Sequence, residues 1–331
     1  MTEVITAVPE RPAFKDRSTS LLLFGVIHIL FGLVCAGFLL MFAVLAEIGT
    51  RRGGQPLPTP VFATNVMTHG FLTLYFFSVG IGSIRKRRWA RALVLMVSWM
   101  WLITGLLSTA VLGVLAPRLL RTMPQDSANV IGIVIFGTIL LLYVVIPGVI
   151  LLAYRGPNVK ATVEHYDRKV RWTDRAPLPV LSVSVLMGFS ALSLLASTAY
   201  ATIPFAGIIV TGVPAMIITL ALASLFGFLA LGLYRLKLSA WITLLLLQVI
   251  GAGVGALTIL RTDFEALYTK MGIMSPDIRK LGILDLYRDP AILITMGVAW
   301  LLFFAFVLSL RRYFVGDGPR TRAADRSLTT G

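Results

Sequence analysis

The chain has 331 residues, 57% of them hydrophobic and 14% charged, with a mean hydropathy of +0.86 and a formal net charge of +15. Soluble domains average about 45–50% apolar and about 25% charged residues, so both departures point toward lipid and away from a water-soluble enzyme. The basic excess gathers at the ends of apolar runs, where the positive-inside rule places it, and so reads as a topology signal and not as a nucleic-acid surface.

About 20 apolar residues are needed for a helix to cross the hydrocarbon core. Eight runs meet that length: 21–46, 61–83, 92–115, 130–154, 178–200, 210–233, 240–260 and 291–310. None carries Asp, Glu, Lys or Arg between its ends, and none alternates as a membrane barrel strand would. The expected fold is therefore an all-α integral membrane protein. The first run, 26 residues long, exceeds the roughly 7–15-residue core of a cleaved signal peptide, which predicts an uncleaved first helix. Cys35, the single cysteine, lies inside it and reads as a small packing residue.

These runs divide the chain into an N-terminal tail (1–20), a first transmembrane half (21–154), a linker (155–177), a second half (178–310) and a C-terminal tail (311–331). Both tails and the linker are expected in the cytoplasm, because that orientation puts 21 Lys and Arg inside and 9 outside, while the acids divide 8 to 7. Trp89, Trp172 and Trp241 flank the cytoplasmic ends as interfacial anchors. The linker, with Glu164, His165, Asp167 and Asp174, reads as a solvated, salt-bridged loop and the natural hinge between halves. Segment 261–289 is the main external element. Its Thr262-Asp-Phe-Glu265 pattern predicts a capping box, Gly272 a stop, and Ser275-Pro276 a second short helix.

The second half echoes the first. At an offset of 150, Gly82-Ser83-Ile84-Arg85-Lys86-Arg87 falls on Gly232-Leu233-Tyr234-Arg235-Leu236-Lys237, Ser98 on Gln248 and Gly105 on Gly255. At 160, Gly137 falls on Gly297. A four-helix unit returns to the side it started from, so the expectation is two parallel repeats, unlike the inverted repeats of many ion-coupled carriers.

The linker's Val159-Lys-Ala-Thr-Val-Glu164 and Trp172-Thr-Asp-Arg-Ala-Pro-Leu-Pro179 resemble a loop in a group of uncharacterised bacterial multi-spanning membrane proteins. Val163 and Ala176 depart from that group's pattern, which often has cysteine there. The resemblance covers about twenty residues. It implies a bacterial membrane protein and carries no activity over; the inner membrane is the expected location.

His28 and His69 are the cofactor candidates, since intramembrane ionisable groups default to function and two histidines on adjacent helices can ligate haem. Their depths disagree, however: about 10 Å and about 20 Å from the inner ends of their helices. Hydrogen bonding to neighbouring helices is the simpler reading, and no cofactor is expected. Asn65 and Gln248 are the other strongly polar intramembrane residues, expected to join helices or line a cavity; Asn65 stands one turn from His69, close enough to meet it. Gly251, Gly253 and Gly255 favour close helix packing. Pro147 and Pro214 mark possible kinks. Trp99, Trp101 and Trp300 read as core filling, and the basic run 85–88 as an anchor or an anionic-lipid contact.

The absences are informative. A chain with no carboxylate in any span is poorly suited to acidic proton coupling. The P-loop, His-Glu-x-x-His and Gly-x-Ser-x-Gly patterns are missing, and no catalytic or metal residue is assigned. The leading expectation is a non-enzymatic membrane protein, acting as a scaffold, as a subunit beside other membrane proteins or a second copy, or by binding lipid or another apolar ligand. A carrier or channel for a neutral solute is the alternative, and a haem- or quinone-linked redox protein on His28 and His69 the third reading.

Overall fold

A computed structural model of the chain describes residues 14–51, 59–120, 125–273 and 283–315. Eight of its helices are long and apolar enough to cross a membrane. In chain order they are α1 (Ser18–Arg51), α2 (Thr59–Ile84), α3 (Arg88–Leu120), the composite of α4 (Gln125–Leu140) and α5 (Ile146–Arg155), α7 (Leu178–Ser197), α8 (Val213–Tyr234), α9 (Leu238–Arg261) and α11 (Pro290–Ser309). Three shorter helices also lie among the described residues: α6 (Pro157–Tyr166), α10 (Phe264–Lys270) and α12 (Arg312–Val315).

Local chemistry explains where the regular pattern breaks. Between α4 and α5 the turn Leu141–Val145 is π-helical. Pro147, just beyond it, has no N–H and its ring crowds the carbonyl of Tyr143; widening the turn relieves both problems. Pro214 sits in the first turn of α8, where a missing N–H is harmless, so it starts a helix and kinks none. The sixth apolar run begins as a strand. Thr202–Phe205 (β1) and Ile208–Thr211 (β2) form an antiparallel hairpin around Ala206-Gly207, whose φ values of 50° and 94° match the left-handed two-residue turn that hairpins favour. Apolar content alone does not separate a buried strand from the start of a helix.

The turns joining α2 to α3 and α8 to α9 share one geometry. In the first, Arg87 N–H donates to Gly82 O at 2.8 Å and Lys86 N–H to Ser83 O at 2.9 Å; in the second, Lys237 N–H donates to Gly232 O and Leu236 N–H to Leu233 O, each at 2.9 Å. This is the Schellman pattern, with Lys86 (φ 53°) and Leu236 (φ 54°) in the left-handed position that glycine usually takes. A Cβ on Gly82 would stand 2.6 Å from Ala90 Cβ, and one on Gly232 2.5 Å from Ala240 Cβ, so a bare backbone there lets each helix pair close. The preceding pairs also meet at small residues: a Cβ on Gly80 would reach Gly25 O at 2.8 Å, while Ser184 Oγ donates to Ala230 O at 2.7 Å.

Most of the packed core lies toward the end that carries Arg85, Lys86 and Arg87, called the basic end below. Leu21, Val79, Val94, Ile150 and Tyr154 fill the first half, with Val159 and Val163 of α6; Val183, Leu229, Leu233, Leu244 and Val307 fill the second. Met96, Ala176 and Leu181 join the halves. Trp241, expected at an interface, is buried, and its Nε1–H donates to Val307 O at 2.9 Å. Trp99, expected in the core, is exposed.

The linker carries the expected salt bridges, but it is helical over Pro157–Tyr166 and partly buried instead of a solvated loop. Helix α6 packs Val159, Thr162 and Val163 into the first half, and Thr162 Oγ1 accepts from Arg17 N–H at 3.0 Å. Tyr234 of α8 donates its hydroxyl to Trp172 O at 3.1 Å, so the segment grips both halves. Its hydrophobic content is too low to announce burial; its arginine partners make burial affordable.

At the opposite end, α10 is capped by Asp263, whose carboxylate accepts from Ala266 N–H at 3.0 Å. The expected cap, Thr262, is instead fully buried, with Oγ1 unpartnered among the described residues. Phe264 stacks on Tyr287 at 4.6 Å, and the hydroxyls of Tyr268 and Tyr287 meet at 2.8 Å. Burial, reinforced by Tyr287, pushes the Tyr268 phenol up to about 12. The helix expected from Ser275-Pro276 lies outside the described residues.

Candidate functional site: a cleft between the halves

Helices α2 and α7, one from each half, leave a cavity of about 170 Å³ between them, away from the basic end. Thr64, Thr68, Met67 and Phe71 line one wall; Phe189, Leu192, Ser193, Ala196 and Ser197 line the other, with Tyr200 at the mouth. Two cross-half contacts bound it. Thr64 Oγ1 and Tyr200 Oη meet at 3.3 Å at the outer rim, and Phe71 packs against Phe189 with ring centroids 5.1 Å apart at the floor. Met67, Phe71, Phe189 and Leu192 stay exposed, so the cleft opens sideways through the bundle wall. No charged group lines it. Ser197 Oγ is committed to Leu194 O at 2.8 Å, whereas the hydroxyls of Thr68 and Ser193 make no hydrogen bond to any described residue.

None of these residues stands out in sequence singly. A signal exists in their spacing: Thr64 and Thr68 on α2, and Ser193 and Ser197 on α7, are hydroxyl pairs one helical turn apart, each pair on one face.

The sequence candidates lie elsewhere and apart. His28 is buried, its Nδ1–H donating to Phe24 O at 2.6 Å, with Phe76 and Tyr154 against the ring. His69 donates in the same way to Asn65 O at 3.1 Å, between Phe38 and Phe42. Since His69 lies level with Phe38, ten residues along α1 from His28, the two rings stand about 15 Å apart along the bundle. One iron needs both nitrogens about 2 Å away, so the fold does not bring this pair together around a haem. Asn65 and His69 do share a face, but through the Asn65 backbone; the Asn65 amide turns back to Val61 O at 2.9 Å. Both hydrogen bonds stay within α2 and join no helices. Both amide atoms of Gln248 are buried without a partner among the described residues. On the glycine face beside it, a Cβ on Gly251, Gly253 or Gly255 would meet nothing within 4 Å, so no described residue packs closely there.

A second polar cluster sits at the basic end. Asp167 is almost fully buried at the C-terminus of α6; it accepts from Arg171 at 2.7–3.2 Å and from Arg88 N–H at 3.3 Å, and pairs with Arg87 at 3.6 Å. Burial pushes its carboxyl up, but the Arg171 bonds, the Arg88 amide and the two guanidinium charges outweigh burial and hold it below the ordinary carboxylate range. Arg88 also pairs with Asp174 at 3.3 Å and Glu164 at 3.6 Å. Beneath this layer Tyr154 donates to Ser83 Oγ at 2.8 Å, and Arg91 Nε donates to Tyr154 O at 3.0 Å. The described pairs tie the linker to the start of α3, which makes the cluster a clamp; its carboxylates are spent on arginines and Lys160.

Fold and site together define a bundle of eight membrane-length helices with an uncharged, hydroxyl-bearing cleft in its wall. No protein family, curated protein or solved structure matches the chain.

Proposed function

We propose that this chain is a non-enzymatic, multi-pass protein of the bacterial inner membrane that binds an apolar ligand in the cleft between α2 and α7. The observation that carries the reading is the cleft itself: about 170 Å³, mostly apolar, uncharged and open to the side of the bundle. Ligand sites are typically concave and apolar with a few polar groups, and a void this close to the size of a benzene-binding cavity has room for a ring or a short chain.

Membrane insertion is supported by the eight long apolar helices and by large side chains such as Leu40, Leu74, Ile133 and Leu302 left exposed along them. The bias of 21 basic residues against 9 supports a cytoplasmic basic end and cytoplasmic termini, an orientation that puts the cleft on the outer-leaflet side. The matching turns at Lys86 and Leu236, and the small-residue crossings Gly25–Gly80 and Ser184–Ala230, support a duplication into two parallel four-helix halves.

The test is to purify the protein in a mild detergent, extract it with organic solvent and quantify bound neutral lipid by mass spectrometry. Wild type carries about one molecule per chain under a single-site scheme, and Ala196→Phe, which fills the cleft, carries none while eluting and melting as a folded protein. A wild-type chain with no bound neutral lipid contradicts the reading. A carrier of a neutral solute would use the same cleft, and uptake into proteoliposomes that Ala196→Phe abolishes would favour that alternative.

A further inference from the structure

Three features of the cleft select among apolar ligands. Its walls hold no charge, so an ionised headgroup would lose its hydration there and gain no counter-charge. Its volume of about 170 Å³ suits one ring, and the Thr64–Tyr200 and Phe71–Phe189 contacts close it above and below to about two helical turns, roughly 10 Å. Inside that height the hydroxyls of Thr68 and Ser193, one on each wall, are unspent. Both residues are exposed on the open side of the cleft, where lipid offers their hydroxyls no partner of its own, so each gains from a ligand with a complementary oxygen, whether carbonyl or hydroxyl, because a hydroxyl both donates and accepts.

We infer that the ligand is a neutral membrane lipid whose oxygen-substituted ring seats between Thr68 and Ser193, with its apolar tail leaving through the side opening past Met67 and Leu192. This rests on the apolar-ligand reading above and adds the ligand's class. A phospholipid would instead place an acyl chain in the cleft and have no use for the two hydroxyls. The Phe71 and Phe189 faces at the floor suit a flat ring better than a flexible chain, since aromatic groups stack on one another in offset or tilted arrangements.

The experiment uses the full chain in phosphatidylcholine nanodiscs and three probes: a short-chain isoprenoid benzoquinone, squalene as a hydrocarbon without oxygen, and phosphatidylglycerol. Binding is read by quenching of a fluorophore placed beside the cleft on Leu195→Cys, an exposed position outside its lining, after Cys35→Ser, and Thr68→Val, Ser193→Ala and Ala196→Phe are compared in that background. The quinone is expected to bind, and to bind about tenfold more weakly when either hydroxyl is removed, the ratio that one ordinary hydrogen bond supplies. Squalene is expected to bind more weakly than the quinone and equally to wild type and both hydroxyl variants. Phosphatidylglycerol is expected not to compete. Quinone and squalene binding with equal strength, unaffected by Thr68→Val and Ser193→Ala but abolished by Ala196→Phe, overturns the ring assignment and leaves the apolar cleft standing. Binding that survives Ala196→Phe overturns both.

Discussion

Arg171 closes on the buried carboxylate of Asp167 with three bonds of 2.7, 3.0 and 3.2 Å, four residues after it in sequence and at the seam where the linker meets the first half. The carboxylate side chain is 2% exposed and the guanidinium 29%, so the pair is screened on one side only. Removing the acid leaves Arg87 and Arg171 without their shared partner. Asp167→Asn is therefore expected to destabilise the protein by about 2 kcal/mol, below the range for wholly buried pairs because Arg171 still reaches water. A lowered unfolding midpoint in detergent checks this, and an unchanged midpoint would show that the linker is not a clamp.

The same pair sets an acid limit. Asp167 titrates below the ordinary carboxylate value in the folded protein. Its contribution is thus fully present above the unfolded value of about 3.9 and is lost as pH falls through the lower folded value. The difference in unfolding midpoint between wild type and Asp167→Asn should hold constant from neutral pH to about pH 5 and shrink below about pH 4. A difference that shrinks between pH 6 and 8 would contradict this origin.

Tyr154 and Ser83 make a buried hydroxyl pair at 2.8 Å between the fourth span and the second. Tyr154→Phe keeps the ring against Phe24 and His28 but leaves Ser83 without its donor. The expected loss is about 1 kcal/mol, read as a lower midpoint, with Ser83→Ala costing a similar amount.

Gly105 and Gly255 stand 150 residues apart in sequence, and among the described residues only the first is closed upon. A Cβ on Gly105 would overlap the carbonyl of Tyr143 in the π-helical turn, and one on Gly255 would meet nothing within 4 Å. Gly105→Ala is expected to cost about 2 kcal/mol, since the obstacle is backbone. Gly255→Ala should be neutral or stabilising by up to about 1 kcal/mol through helix propensity. Equal midpoints for the two variants would contradict the packing described for the first half.

The helices were legible because lipid demands long apolar runs and admits no charge, and all eight are present as helices of membrane length. The turns at Gly82 and Gly232 were legible as a repeated phrase, though not as a geometry, because Lys86 and Leu236 take a conformation that their side chains do not advertise. The linker misled. Its charge reads as solvation, yet Asp167 is buried by arginines seventy-nine or more residues away in sequence as well as by Arg171. The hairpin at 202–211 was hidden for another reason: apolar β-branched residues read alike in a strand and in a helix. The cleft was hidden because its polarity comes from hydroxyls. Asn65, Gln248 and the two histidines drew attention as stronger polar groups, but His28, His69 and Asn65 each bond back to their own helix four residues earlier. A Ser or Thr looks ordinary on a membrane helix until the neighbouring helix withdraws from it.

The most direct measurement is photocrosslinking in intact membranes, with benzoyl-phenylalanine replacing Leu192 in the cleft wall or Leu246 on the exposed face of α9. At Leu192→benzoyl-phenylalanine the adducts should be dominated by one neutral lipid, while those at the Leu246 position should follow the bulk phospholipid composition. The same adduct distribution at both positions would contradict a ligand-binding cleft between α2 and α7.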